Sequence, residues 1–254
     1  MKWIEPSYMR RIHFPVTDST NTAARQLAAE HPGECLLVTA ATQAAGRGRQ
    51  GRIWQSPLGG AWLSIAWPTR QPPQAYAPVS LVAAIAVRRA LLGVVYGERL
   101  KIKWPNDVLI DDRKVVGILC EQWPSENGNP GVLVIGIGVN VDFDLALLPP
   151  DLRHPPTTLS QAIGRAVPVD AVIDAVAEQV ATALEEFEAT GLNAELVAEL
   201  RGCLAYVGTE RSWQTPRGEI TGRVLGIDDA GRLLLEVDGQ TQAHDIGEFA
   251  PIRA

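Results

Sequence analysis

The sequence predicts an α+β protein in two units: a larger N-terminal unit of strands and helices, then a small all-β unit. Three observations carry this. Four apolar, strand-like runs crowd between Lys101 and Val141. Two long helical patterns, Val79 to Leu92 and Val169 to Phe187, flank them. From about Ala205 the texture changes to short apolar runs separated by turns. The boundary is therefore set at 204/205, giving units 1–204 and 205–254.

Element by element, Arg10 to Phe14 reads as a short strand. Ser19-Thr20-Asn21-Thr22 then supplies capping residues ahead of an alanine-rich helix, Ala23 to Glu30, closed by His31-Pro32-Gly33. Cys35 to Ala40 is a strand. Residues 43–60 hold five glycines and read as a loop. Ala61 to Trp67 alternates as a strand, and Val79 to Leu92 is apolar and long enough for a buried helix. The β-rich middle comprises Lys101–Trp104, Val108–Ile110, Val115–Trp123 and Val132–Val141, with a hairpin turn at Asp111-Asp112-Arg113. A proline-rich connection, Pro149 to Pro156, follows.

Val172, Val176, Val180, Ala183 and Phe187 fall on one face of the next helix, and Asn193 to Arg201 suggests another. In the terminal unit, turns at Thr215-Pro216-Arg217-Gly218, Asp228-Asp229-Ala230-Gly231 and Asp238-Gly239 imply strands too few for an open sandwich, hence a barrel-like fold.

Bulk composition narrows the function. With 254 residues and 46% hydrophobic content the chain can build a real core. A net charge of −6 argues against a nucleic-acid binder held by bulk electrostatics. Cys35, Cys120 and Cys203 are odd in number, widely spaced and in apolar contexts, so they read as buried free thiols. Residues 1–6 lack a signal-peptide pattern, and no run approaches the roughly 18 apolar residues of a membrane span, so a cytoplasmic protein is expected.

The chemistry concentrates in Gln43-Ala44-Ala45-Gly46-Arg47-Gly48-Arg49-Gln50-Gly51-Arg52-Ile53-Trp54. Gly46 to Gly51 spells G-x-G-x-x-G. A dinucleotide fingerprint, however, should open a helix and meet an acid about 20 residues on. Pro57, Gly59 and Gly60 spoil a helix, and no Asp or Glu occurs between Cys35 and Gly97, so a nicotinamide cofactor is rejected. That acid-free window holds Arg47, Arg49, Arg52, Arg70, Arg88 and Arg89. Glycines allow close backbone approach and guanidinium groups bind phosphate or carboxylate bidentately, so a small anion is the favoured ligand. A solvated basic loop or a nucleic-acid patch is the competing reading.

Three further segments add to it. Lys101-Ile102-Lys103-Trp104-Pro105-Asn106-Asp107 sets two lysines on one strand face before a turn, where Asp107 could hold Mg²⁺ or simply form the turn. Lys114 stands at the mouth of the strand Val115–Leu119, where a lysine is ordinarily solvated. Gly136-Ile137-Gly138-Val139-Asn140 places two glycines inside a strand, which suggests a ligand or another backbone close by, with the Asn140 amide available to a base edge.

Together and in order, these segments resemble the biotin–protein ligases, over roughly residues 10–250. The residues concerned are Ser19-Thr20-Asn21, Gln43, Gly46 to Trp54, Lys103 to Asp107, Arg113-Lys114, Gly117-Ile118-Leu119 and Gly136 to Asn140. The resemblance implies a mixed-sheet catalytic domain of the biotin/lipoate ligase type followed by a small SH3-like β-barrel. It implies a biotin site of Ser19, Thr20, Asn21, Gln43, Arg47, Gly48, Arg49, Lys114 and Gly117. It also implies an ATP site of Arg49, Arg52, Trp54, Lys103, Asn106, Asp107 and Asn140, with Lys114 and Arg49 catalytic and Asp107 nearest magnesium. Expected substrates are biotin and ATP with Mg²⁺, and the expected partner is the biotin carrier domain of a carboxylase such as acetyl-CoA carboxylase.

The same resemblance allows a homodimer. Only 18 residues precede Ser19, too few for a helix-turn-helix domain, so no DNA binding is expected. The rival expectations are a lipoate or octanoate enzyme of the same fold and a non-catalytic biotin-dependent regulator.

Overall fold

The computed structural model describes residues 9–124, 131–152, 154–215, 218–245 and 250–251. The N-terminal unit runs β1 (Met9–Thr17), α1 (Thr20–Glu30), β2 (Cys35–Gln43), β3 (Ala61–Thr69) and α2 (Val79–Leu91). It continues with β4 (Leu100–Lys103), β5 (Asp107–Ile110), β6 (Arg113–Trp123), β7 (Gly131–Val139), α3 (Leu159–Ile163), α4 (Val169–Thr190) and α5 (Ala194–Cys203). The C-terminal unit contains β8 (Glu210–Thr215), β9 (Gly218–Ile227), β10 (Leu233–Val237), β11 (Gln240–His244) and β12 (Ala250–Pro251).

Seven strands form one sheet in the order β1-β2-β3-β7-β6-β5-β4. β1 and β2 are parallel and every other pair is antiparallel, which is the expected mixed sheet. Both faces are covered. Side chains alternate along a strand, so Leu37, Leu63, Ile65, Ile135 and Ile137 point to the large core under α2 and α4. Leu36, Val38, Ala66 and Val134 point to the opposite face, beneath α1. The α4 stripe Val172, Val176, Val180, Ala183 and Phe187 is buried as its spacing requires.

Most elements fall where the sequence places them, with informative differences. α1 begins at Thr20, three residues early, because Ser19 is extended and ends the turn as its N-cap. The β5–β6 turn is Asp111-Asp112, both with positive φ, and Arg113 already belongs to β6. α3 was not expected, although Thr158 caps it by accepting from Gln161 N at 3.2 Å and Gly164 closes it at φ 72°.

The small unit is one sheet, β11-β10-β9-β8-β12, and among the described residues no pairing joins its two edges into a closed barrel. Its Asp238-Gly239 hairpin turn has both φ angles positive. Pro216 and Arg217 of the expected Thr215–Gly218 turn lie outside the described residues.

Candidate functional site

The site occupies the face of the sheet that carries α1, as a cleft of about 450 Å³. Strand alternation brings Ser64, Gly117, Gly136 and Gly138 to that face. The first turn of α1 stands over them. Ser64, wholly buried, reaches Thr20 Oγ1 at 2.7 Å and Asn21 Oδ1 at 2.6 Å. Thr20 donates to Gln43 Oε1 from its main-chain N at 2.8 Å and from Oγ1 at 3.2 Å. Gln43 Nε2 donates to Ser56 Oγ at 2.7 Å. Asn21 Nδ2 donates to Leu119 O at 3.3 Å and to Glu121 Oε2 at 2.7 Å, and Arg47 shares that carboxylate at 2.9 Å. This end of the cleft is a fixed hydrogen-bonding network of neutral side chains, backed by the Arg47–Glu121 ion pair.

The two glycines of β7 now have a physical reason. A Cβ at Gly136 would collide with Asn21 Oδ1, and one at Gly138 with the indole of Trp54. Gly117, the register partner of Gly138, would meet Trp54 Cζ3 at 2.7 Å. The close neighbours are therefore side chains rather than a backbone. Trp54 lies flat across the two strands, edge-on to Trp62 at 6.4 Å.

The arginine loop is more ordered than its composition suggests. Gly48 N donates to Arg52 O at 2.7 Å and Trp54 N to Gly46 O at 2.8 Å, closing a small hairpin around a single 3₁₀ turn at Arg49–Gly51. Several arginines of the acid-free window also meet acids from outside it. Arg47 pairs with Glu121, Arg70 with Glu188, and Arg89 forms a bidentate pair with Glu199. Arg49 donates to Asn106 Oδ1 at 3.4 Å, and Asn106 Nδ2 donates to Ile118 O at 2.6 Å.

The other end of the cleft is charged. Asp107 is not a turn residue: it opens β5, in register with Lys103, and the turn is Trp104-Pro105-Asn106 across a cis Trp104–Pro105 bond. Its carboxylate accepts from Lys114 Nζ at 2.6 Å on Oδ1 and from Lys103 Nζ at 3.0 Å on Oδ2. The two lysines that frame Asp107 are thus Lys103 and Lys114, not Lys101 and Lys103. Burial alone would push the Asp107 carboxyl up. The two ammonium groups override burial and hold it well below the usual carboxylate range. Burial draws the Lys103 ammonium down, and Asp107 opposes that.

Lys114 is no solvated surface charge; its Nζ also sits 5.1 Å over the Trp54 ring. The expected metal role of Asp107 does not suit this arrangement. Each of its oxygens already faces a cation, and no group of three or more His, Cys, Asp or Glu gathers among the described residues. Asn140 lines the cleft, but its amide nitrogen donates to Thr157 O at 3.1 Å, tying down the following segment. Sequence reasoning missed Ser64, Ser56, Glu121, His154 and Trp213 in the site. Ser64 had a signal, being the lone polar residue of an apolar strand.

A model of the biotin/lipoate A/B protein ligase family matches residues 13–140, half of the chain. The chain belongs to that family. A second model, the biotin protein ligase C-terminal domain, matches residues 214–250. The bifunctional ligase/repressor BirA of Bacillus subtilis (strain 168) is 36% identical over 228 residues, covering 89% of this chain and 69% of the relative. The biotin–[acetyl-CoA-carboxylase] ligase of Paracoccus denitrificans is 35% identical over 229 residues, covering 86% and 91%. Among solved structures, the biotin protein ligase from Aquifex aeolicus in complex with biotin and ATP superposes with a TM-score of 0.79 at 26% identity, covering 96% and 99%. The cleft is lined by each residue to which the resemblance gave a biotin or ATP role: Ser19, Thr20, Asn21, Gln43, Arg47, Gly48, Arg49, Arg52, Trp54, Lys103, Asn106, Asp107, Lys114, Gly117 and Asn140.

Proposed function

We propose that this cleft joins biotin to ATP as biotinyl-5′-AMP and then passes the biotinyl group to a lysine of a carrier domain such as that of acetyl-CoA carboxylase. The chain is an ATP-dependent ligase of the biotin protein ligase kind; the intermediate, the acceptor and the residue roles are our reading. The observation that carries it is the joining of two unlike ends in one cleft. The Thr20–Asn21–Gln43–Ser64 network suits a neutral, hydrogen-bonding ring system. The Lys103–Asp107–Lys114 cluster suits phosphates.

In the first step a carboxylate oxygen of biotin attacks the α-phosphorus and the bond to the β-phosphate oxygen breaks, releasing diphosphate. Both reactants are anions, so cations must sit between them. Lys114, between Trp54 and Asp107, is placed to do so, and Arg49 closes from the loop. In the second step the acceptor amine attacks the acyl carbon, AMP leaves with the bonding pair, and the amine gives up a proton. Magnesium, supplied with ATP, would neutralise part of the phosphate charge beside Lys103 and Lys114. Residues 1–204 carry the chemistry and 205–254 buttress the cleft through Trp213. A cytoplasmic setting accords with three free cysteines, whose thiols at Cys35 and Cys120 burial pushes up to about 12.

Diphosphate release from Mg-ATP, with biotin, lipoate and octanoate supplied in turn, tests the reading. Biotin alone should support release, and Lys114→Ala should lower it by at least about 100-fold, the scale for one electrostatic donor. Release with lipoate or octanoate instead would replace the substrate. Release with none, from folded protein, would overturn the catalytic reading.

A further inference from the structure

The connection after β7 bears one group that no step above uses. It is held against the catalytic strand: Lys114 N donates to Pro155 O at 2.8 Å, Thr157 N donates to Lys114 O at 2.9 Å, and Arg113 Nε donates to Pro156 O at 3.1 Å. His154, next in line before Pro155, is thereby fixed at the wall of the cleft, which it lines with Leu148, Leu152 and Asp151. Its Nε2 is buried and meets no hydrogen-bond partner among the described residues.

The charges acting on this ring are Lys103 from β4, Lys114 from β6 and Arg52 from the loop, opposed by Asp107 from β5. Lys103, Lys114 and Arg52 thus gather on the His154 side of the cleft, where a ligand anion would meet them. Burial first, then Lys103, draws the imidazole down to about 4, so at neutral pH it is uncharged and keeps one N–H to give. The Arg47–Glu121 pair, at the opposite end of the cleft, is not among the charges that shift it. A buried N–H seeks an acceptor, and here the oxygen-rich group that fits beside Lys103 and Arg52 is a polyphosphate.

We propose that His154 is a nucleotide-contacting residue, its Nε2 donating to a phosphate oxygen of ATP. This rests on the ATP-dependent reading of the cleft. The experiment compares the full chain with His154→Ala and His154→Gln, whose amide nitrogen extends to about where Nε2 stands. ATP is varied at saturating biotin and biotin at saturating ATP. A non-hydrolysable ATP analogue is also titrated by calorimetry, and thermal melting confirms that each variant is folded.

His154→Ala should raise the KM for ATP and the Kd of the analogue about tenfold, the loss of one charge-assisted hydrogen bond. The KM for biotin should stay within about twofold, and His154→Gln should recover most of the loss. An unchanged KM for ATP, an equal rise in the KM for biotin, or no recovery with Gln would each overturn it. Should the wild-type chain release no diphosphate with biotin, the reading of the reaction fails, and the analogue titration still decides His154.

Discussion

Asp107 is the residue on which the charged end of the cleft depends. It is 5% exposed and carries an ammonium group on each oxygen. Replacing a partner in such a cluster leaves the others buried and uncompensated, a loss of about 3–5 kcal/mol. Asp107→Asn should therefore destabilise the fold by that order in urea or thermal melts, besides abolishing diphosphate release; an unchanged midpoint would show that solvent already screens the lysines. The acid side follows from the same pair. The carboxyl is held lower in the folded chain than in the unfolded one, so its contribution is present above about pH 4 and lost as pH falls further.

Gly136 makes the complementary argument by size. Gly136→Ala would drive Asn21 from its place under Ser64 and Glu121. Overpacking of this kind costs about 1–3 kcal/mol, and we expect biotin affinity to fall on the order of tenfold or more by calorimetry. Affinity equal to that of the wild type would remove Asn21 from the biotin end.

Elements explain why the sequence showed so much of the site and where it stopped. Lys103, Asp107 and Lys114 belong to three consecutive strands, so two tight turns suffice to bring them together. That closeness is legible in the spacing Lys103 to Lys114, once Asp111-Asp112 is read as a hairpin. The two glycines of β7 likewise announce a close approach, but only tertiary structure says that the approaching groups are Asn21 and Trp54. Glu121 was missed because it looks locally like an ordinary strand residue, and Ser64 because its polarity in an apolar strand does not say what it meets; their role arises from lying across from α1. His154 was missed for a different reason. It lies in an irregular, proline-rich connection with no periodicity, and its position depends on main-chain bonds to Lys114 that no side-chain pattern encodes.

At the scale of the molecule the two units share one core. Trp213, Val224, Ile227, Leu233 and Leu235 of the C-terminal unit pack in the same apolar cluster as Leu81, Leu196 and Leu200. The seam is also hydrogen-bonded. Ala205 N donates to Ile102 O at 2.9 Å, Arg201 Nε to Ile227 O at 3.1 Å, and the indole of Trp104 to Gly231 O at 2.9 Å. Trp104 begins the turn that leads through Asn106 to Asp107, so the seam and the charged end of the cleft are mechanically one piece. Trp104→Phe keeps the aromatic bulk but leaves the buried Gly231 carbonyl without its donor, a loss of about 1–3 kcal/mol. The variant should melt lower in a single transition and show a higher KM for ATP, because β4 and the following turn lose their anchor. A melt resolved into two transitions, or a lowered midpoint with ATP use untouched, would show instead that the small unit is an appendage and that the cleft holds its shape without it.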